Sequence, residues 1–474
     1  MVKNIRFMTK ILFFNPPSRR NVYLSTNVGV AAPSYPSLTL STLAGNLITK
    51  HNVKITDLDL VPNFYESIFN EIQDFKPDMI AASANTPDYF SVRDIMSLVK
   101  EKYPGIKTIV GGVHITALPA EASKEKCFDF LVLGEGDGVI AELLSTTSFE
   151  KVSGIIYTKD AYFGERISTP KRKLIDDLNT LPFPAWHLFK LNKYKNSRLS
   201  TRVNPVGLIE TSRGCAFQCN FCNKLTFGTE HRTKDPKRVV DEIEYMLKCG
   251  FKEIHFIDDS FTQNIERAKE ICIEIIRRNL RFPWSSFSGV RADMVDFDFF
   301  QLAKKSGCWQ VAFGIESGDQ DILNKINKKV TLSKVENAVK LAKKAGINTF
   351  GFFILALSGE TEQSMKRTIE FACKLPLDIA KFDICIPYPG TPYYNELKSQ
   401  GRIKSENWSR YICHNTDEPL FDHPNLKWST IRNYYKKAFR KFYLRPTYII
   451  RRFNRSLRMG DLVNDINYFM RAKW

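Results

Sequence analysis

Twice along its length the chain alternates short apolar runs with helical segments, and this rhythm restricts its fold more than any other feature. In the first series the runs lie at 10–17, 53–60, 78–85, 107–114 and 129–136, each near a Gly, Pro, Asn or Asp. Segments with helical spacing, such as 38–50 and 89–105, lie between them. Strands that are apolar on both faces belong to a parallel sheet covered by helices on both sides. Five such units predict an open, doubly wound α/β sheet whose ligand sits beyond the carboxyl ends of the strands. The residues placed there are Asn15, Ser83, Gly111, Gly112, His114, Gly134, Glu135 and Gly136. A second series starts near 205, with strands predicted at 208–213, 253–259, 285–293, 310–317, 348–357 and 380–389. Six units do not close an eight-stranded barrel but suffice for a partial, TIM-like (βα)6 barrel, with its site again at the carboxyl ends. Between the series, 151–168 reads as a small hairpin and is followed by a Pro- and aromatic-rich connector. The expected divisions are 1–147, a connector at 148–203, a barrel at 204–420 and a helical, basic tail at 421–474.

A chain of 474 residues with 43% hydrophobic and 25% charged residues is globular, not disordered or collagen-like. No window reaches the ~18 apolar residues of a spanning helix. The beginning carries Lys10 inside its only apolar stretch and lacks a small-residue cleavage site, so a cytoplasmic location is expected instead of a secretory signal. The formal charge is +18, yet residues 421–474 alone hold thirteen Lys and Arg against three Asp and Glu. From Trp428 to Met459 the cations are interleaved with aromatics and no acid occurs. That pattern suits a terminal helix packed on the barrel with a solvated basic face. It also suits a membrane surface or an anionic lipid, and, less well, single-stranded nucleic acid.

Ten cysteines are too sparse for a disulfide scaffold, and seven of them are scattered in apolar or helical contexts expected of small buried hydrophobes. The other three form Cys215-x-x-x-Cys219-x-x-Cys222 directly after the first strand of the second series. A structural zinc site wants four closed ligands, commonly two Cys pairs. Three thiolates holding a 4Fe–4S cluster leave one iron without a protein ligand, open to a substrate or cofactor. The open cluster is the expectation here, with zinc as its alternative.

With this loop and an aromatic before its last cysteine, the stretch 205–420 resembles the radical S-adenosylmethionine (radical SAM) superfamily. The resemblance implies that S-adenosylmethionine chelates the open iron and is cleaved reductively to a 5′-deoxyadenosyl radical that abstracts hydrogen from substrate. It places Asp258 and Asp259 near the methionyl amino group. It also offers Arg291 as a fork for the methionyl carboxylate and Glu316 as an acceptor for ribose hydroxyls. The alternative for each is a salt bridge in the barrel rim.

The front domain narrows the resemblance. Asn15-Pro16-Pro17, Gly111-Gly112-Val113-His114 and Gly134-Glu135-Gly136-Asp137, combined with the cysteine loop, resemble cobalamin-dependent radical SAM enzymes over nearly the whole chain. Cobalamin is therefore an implied cofactor beside the cluster and S-adenosylmethionine, with the glycines letting backbone approach a planar ring. The loop after the first strand has no His, so cobalt would lack an imidazole from that loop, and His114 is the one nearby. The implied reaction is methylation of an unactivated carbon of a hydrophobic small molecule, with a reductant such as flavodoxin or ferredoxin. Ring formation or rearrangement with the same cofactors is an alternative. From another class come a cobalamin sensor and a zinc-containing nucleic-acid module.

Overall fold

The computed structural model describes residues 8–23, 32–159, 164–414, 417–459 and 463. The chain divides into two compact units, one built chiefly on Pro36–Lys193 with the first strand, the other on Tyr194–Lys224 and the residues from Thr229 onward.

The first unit is a sheet in the order β2-β1-β3-β4-β5-β6-β7. Its strands are β1 Lys10–Asn15, β2 Asn52–Asp57, β3 Met79–Ser83, β4 Lys107–Gly111 and β5 Phe130–Val132, followed by β6 Ile155–Thr158 and β7 Arg166–Ser168. The first five are parallel, whereas β6 and β7 add an antiparallel hairpin at one edge. Ile11 to Phe14, Ile80, Ile109, Val110 and Leu131 are buried, as continuous apolar runs require when helices cover both faces. The helices are α1 Ser18–Tyr23, α2 Leu38–Gly45, α3 Phe64–Phe75, α4 Tyr89–Lys102, α5 Val113–Ala117, α6 Pro119–Ala122 and α7 Val139–Ser145. The order 2-1-3-4-5 reverses direction between β1 and β3, which makes the carboxyl ends of those strands the switch point. The predicted hairpin is present, its turn at 160–163 lying outside the described residues. Arg166 fixes it by donating to the carbonyls of Ser123, Glu125 and Phe128.

The second unit holds a six-stranded, wholly parallel sheet, β15-β14-β13-β12-β11-β8. Its strands run β8 Val206–Ile209, β11 Glu253–Phe256, β12 Trp284–Val290, β13 Cys308–Glu316, β14 Asn348–Leu355 and β15 Ile379–Ile384, while β9 Ser212–Arg213 and β10 Arg232–Thr233 form a separate antiparallel pair. The intervening helices are α8 Pro236–Cys249, α9 Ile265–Arg277, α10 Phe297–Lys305, α11 Gln320–Lys325, α12 Leu332–Lys344 and α13 Glu362–Lys374. Their ends are written locally. Side chains of Asn264, Asp296 and Thr331 accept the first free N–H groups of α9, α10 and α12, and Thr361 and Ser364 make a reciprocal capping box.

Period-two alternation sorts the strand residues. Phe256 and Trp284 pack outward on each other and on Phe261, which meets Phe299 of α10, while Phe353 packs on Phe382, which meets Phe439 and Phe442 of the tail. His255, Phe287, Phe350 and Phe352 form the opposite, inner face.

After α14 Pro392–Ser399 come α15 Trp428–Tyr443 and α16 Pro446–Met459. Ile431, Tyr435, Ala438 and Phe442 bury one face of α15 against α13 and β15. The Tyr443 and Tyr448 hydroxyls donate to the carbonyls of Ala380 and Asp378. The packed-helix reading of the tail thus holds for α15, which covers the edge strand β15. On α16, however, Ile449, Ile450, Phe453 and Leu457 stand in solvent. Residues 460–462 and 464–474 of the tail lie outside the described residues. No described helix is long and apolar enough to cross a membrane.

Candidate active site

The cysteine loop leaves the carboxyl end of the first barrel strand, and hydrogen bonds from three other segments hold it. The Gly214 N–H donates to Asp259 Oδ2 (3.1 Å) and the Ala216 N–H to Gln263 Oε1 (3.3 Å). Asn327 donates to the Gln218 carbonyl (3.0 Å), and the Asn220 N–H to the Ile326 carbonyl (3.1 Å). The Tyr393 N–H closes the far side on the Asn220 carbonyl (3.0 Å). Cys215 and Cys219 are buried, Cys222 is partly exposed, and none is in a disulfide. Burial pushes the Cys222 thiol up to about 12, aided by Cys219, and raises Cys219 as well.

Two cations face these thiols. Lys328 lies beside Cys219 and Cys222 and pairs with Glu316 at 2.8 Å. Glu316 ends β13 with φ +65, a left-handed conformation that a β-branched or bulky residue rarely takes, and Ala356 just after β14 has φ +62. Such outliers at two adjacent strand ends mark a place where the backbone is held for a purpose. Arg291 stacks on Phe217 of the cysteine loop, 3.4 Å from the ring centroid. A loop of three thiols flanked by Arg291 and Lys328 has the donor chemistry of an anionic iron–sulfur cluster.

The residues expected to hold S-adenosylmethionine have protein partners of their own in the structure. Asp258 does not face an open site: it is 2% exposed and accepts from the Thr211 N–H, Thr211 Oγ1 and Ser212 Oγ at 2.7–2.9 Å. Arg291 already uses its fork on Asp293 (3.1 Å twice) and donates to the Lys328 carbonyl. Glu316 is committed to Lys328. Of Asp258, Asp259, Arg291 and Glu316, Asp259 is the exposed one. Apart from the Arg291–Asp293 fork, these pairings join different strands and loops, so no local pattern announced them.

At the switch edge of the first unit, Asn15 Nδ2 donates to Asp57 Oδ1 (3.0 Å), and Ser18 and Asn21 donate to Asp88. Burial pushes Asp59 up to about 7, with Asp57 adding to it, against an N–H from Arg19 that works the other way. Sequence reading missed these three acids, although Asp57 and Asp59 end a predicted strand. Gly112 has φ +106, and a Cβ there would sit 2.6 Å from the Ala84 carbonyl oxygen and 2.8 Å from Ser83 Oγ. Its glycine therefore serves β3–β4 packing, not approach to a ring. Gly134, with φ +77, has open space where a Cβ would lie and fits the approach of a flat group. A Cβ on Gly111 or Gly136 would only touch Val132 or Leu43. Glu135 is buried and accepts from the Ile175 N–H (2.8 Å), a structural tie. His114 is 1% exposed, packs on Tyr89 and is driven down to about 4 by burial, so it is a neutral core imidazole.

The barrel interior is lined by His255, Phe287, Phe350 and Phe352 in mutual ring contact, with Lys381 over Phe352 and Lys381 paired to Asp383. His255 donates or accepts between Glu253 (2.8 Å) and the Tyr35 hydroxyl (3.3 Å). These side chains make an apolar inner face with a few polar groups set in it, the residue types of a small-molecule site.

Comparisons with known proteins agree with this layout. Residues 209–372 match the Radical SAM superfamily and residues 24–144 the B12 binding domain. An uncharacterized methyltransferase of Pyrococcus horikoshii is 32% identical over 446 residues, spanning 93% of this chain and 94% of that protein. The anaerobic magnesium-protoporphyrin IX monomethyl ester cyclase of Rubrivivax gelatinosus is 27% identical over 466 residues, spanning 96% of this chain and 81% of its own. Among solved structures, the radical S-adenosylmethionine methyltransferase TsrM from Kitasatospora setae, with cobalamin and a 4Fe–4S cluster bound, shares the fold. Its TM-score is 0.66 at 20% identity, over 83% of this chain and 75% of that one. With a B12 binding domain ahead of a radical SAM core, and a relative this similar along almost its whole length, the chain belongs to the cobalamin-dependent radical SAM enzyme family.

Proposed function

We propose that this enzyme methylates an unactivated carbon of a hydrophobic, ring-containing or lipid-like small molecule. The observation that carries the substrate class is the aromatic inner face of the barrel: Phe287, Phe350 and Phe352 offer apolar surface, and Lys381–Asp383 and His255 offer only a few polar anchors. In this reading Cys215, Cys219 and Cys222 hold the cluster, and Lys328 and Arg291 balance its charge. Asp259 is the exposed carboxylate left for the methionyl ammonium, and the backbone at Gly134 lies against the corrin. When bound, the cluster with S-adenosylmethionine supplies hydrogen-atom abstraction and cobalamin supplies the methyl group. The chain's own part is to orient the substrate on the aromatic face and to exclude water from it.

Methyl transfer is favoured because the Pyrococcus relative carries the name of a methyltransferase. The Rubrivivax relative, a cyclase, supports ring formation as the second reading. The exposed apolar stripe of α16, on a basic helix without an acid, is read as a contact with an anionic bilayer from which an apolar substrate is drawn. A flavodoxin- or ferredoxin-type protein completes the set as reductant. The test supplies enzyme, reductant, cobalamin and S-adenosylmethionine labelled in its methyl group to an apolar cell extract. Label appearing in an extracted lipid or pigment supports methylation. Formation of 5′-deoxyadenosine with an unlabelled, cyclised or oxidised product rejects it.

A further inference from the structure

Outside the cysteine loop, one cluster in the second unit brings three different metal-ligand types together. Asp383 is the penultimate residue of β15, at the carboxyl end of the barrel. Cys413 and His414 follow the barrel, and the Ile384 N–H donates to the Cys413 carbonyl (3.1 Å), which pins that segment along β15. The Asp383 carboxylate, the Cys413 sulfur and one His414 nitrogen all lie within 4.8 Å of one another. His414 Nδ1 is 3.2 Å from Asp383 Oδ1, and His414 Nε2 is 3.7 Å from Cys413 Sγ. The two short contacts use different imidazole nitrogens, so one ion would take one of them, with the three ligand atoms still within 4.8 Å of one another.

We propose that Asp383, Cys413 and His414 form a binding site for a divalent transition ion of the zinc or ferrous type, separate from the cysteine loop. Asp383 Oδ1 is buried and receives no well-formed hydrogen bond among the described residues, its polar neighbours being the imidazole and thiol of the same cluster. Its other oxygen is held by Lys381 at 3.1 Å, which leaves Oδ1 aimed at the cluster. A buried carboxylate oxygen without a donor is costly unless a cation meets it. The ligands are also held in place before any ion arrives. The β15 backbone fixes Asp383 and Cys413, and Tyr435 of α15 bounds the imidazole, its hydroxyl 3.5 Å from Nδ1. On binding, the ion would displace the Cys413 thiol proton to solvent as the metal–thiolate bond forms.

One sulfur, one nitrogen and one oxygen make a three-ligand set of mixed softness, the pattern in which a fourth position stays with water or an exogenous oxygen or nitrogen donor. Because Asp383 shares the inner wall with Lys381 and Phe352, such a position would face the side assigned to substrate, and that placement rests on the proposed function above. The ion binding itself does not.

The test uses reconstituted full-length protein incubated with equimolar zinc and then gel-filtered. One zinc per chain, with an X-ray absorption spectrum showing a single sulfur in the zinc shell, is expected. The isosteric Cys413→Ser and the His414→Ala chains should weaken zinc binding by about tenfold or more, with cluster iron and unfolding temperature kept. Zinc with a shell of three sulfurs places it in the cysteine loop and overturns the proposal. So does zinc retained equally by both variants, or no zinc in the parent chain.

Discussion

The Lys328 ammonium lies 2.8 Å from the Glu316 carboxylate, both buried, beside Cys219 and Cys222. The pair joins the left-handed end of β13 to the connection between α11 and α12, and it sets a cation against the loop assigned to the cluster. Removing one member leaves the other charged and dry. Lys328→Met should cost about 3–5 kcal/mol, whereas Lys328→Met combined with Glu316→Gln should recover much of that loss. Denaturant unfolding of the single and double variants checks it.

Arg291 supports the cysteine loop through Phe217 and through the carbonyls of Lys328 and Lys329. A lysine reproduces its charge but neither the planar stack nor the fork on Asp293. Arg291→Lys should therefore hold less iron per chain at limiting iron and sulfide, measured after anaerobic reconstitution, with the far-ultraviolet circular dichroism unchanged.

Asp258 gathers three donors in a closed position. Asp258→Ala should lower stability by about 3 kcal/mol through the unsatisfied Thr211 and Ser212 groups. The melting temperature should fall accordingly, and Thr211→Val made on top of it should add less than it does alone.

Asp59 gives a pH signature. Its folded value, about 7, stands above the ordinary carboxylate value of 3.8, so the folded state binds the extra proton between these limits. Stability from this group is full below about 4 and is lost as pH rises through 7. Asp59→Asn, which removes that loss, should raise the melting temperature at pH 8 and change it little at pH 4, as scanning fluorimetry across pH would show.

The tail prediction concerns α16. Ile450 is 61% and Phe453 50% exposed, on a helix that carries arginines and no acid. Ile450→Glu with Phe453→Glu should abolish co-sedimentation with anionic vesicles. Equal binding by the parent and double variant would remove the bilayer reading.

Much of the fold was legible in the sequence. Parallel strands buried on both faces leave uninterrupted apolar runs such as Ile11–Phe14, and Gly and Asn at helix ends mark the boundaries. The cysteine loop was legible because its spacing is local. What stayed hidden depends on pairing across the fold. Arg291 meets Phe217, Glu316 meets Lys328, and Asp258 turns inward to Thr211. Of the seven scattered cysteines expected to be small buried hydrophobes, four are buried, but Cys249, Cys373 and Cys413 are partly exposed, and Cys413 lies against His414 and Asp383.

The central claim is that one chain carries an open iron–sulfur cluster in the cysteine loop and a corrin on a separate domain. The most direct measurement is metal, sulfide and corrin analysis of anaerobically reconstituted protein beside the variant with Cys215, Cys219 and Cys222 all changed to Ala. The account predicts the four irons of a 4Fe–4S cluster and cobalamin in the parent chain. The variant should lose iron and reductive cleavage of S-adenosylmethionine and keep its cobalamin. Zinc in place of iron, or loss of cobalamin together with the cluster, would contradict it.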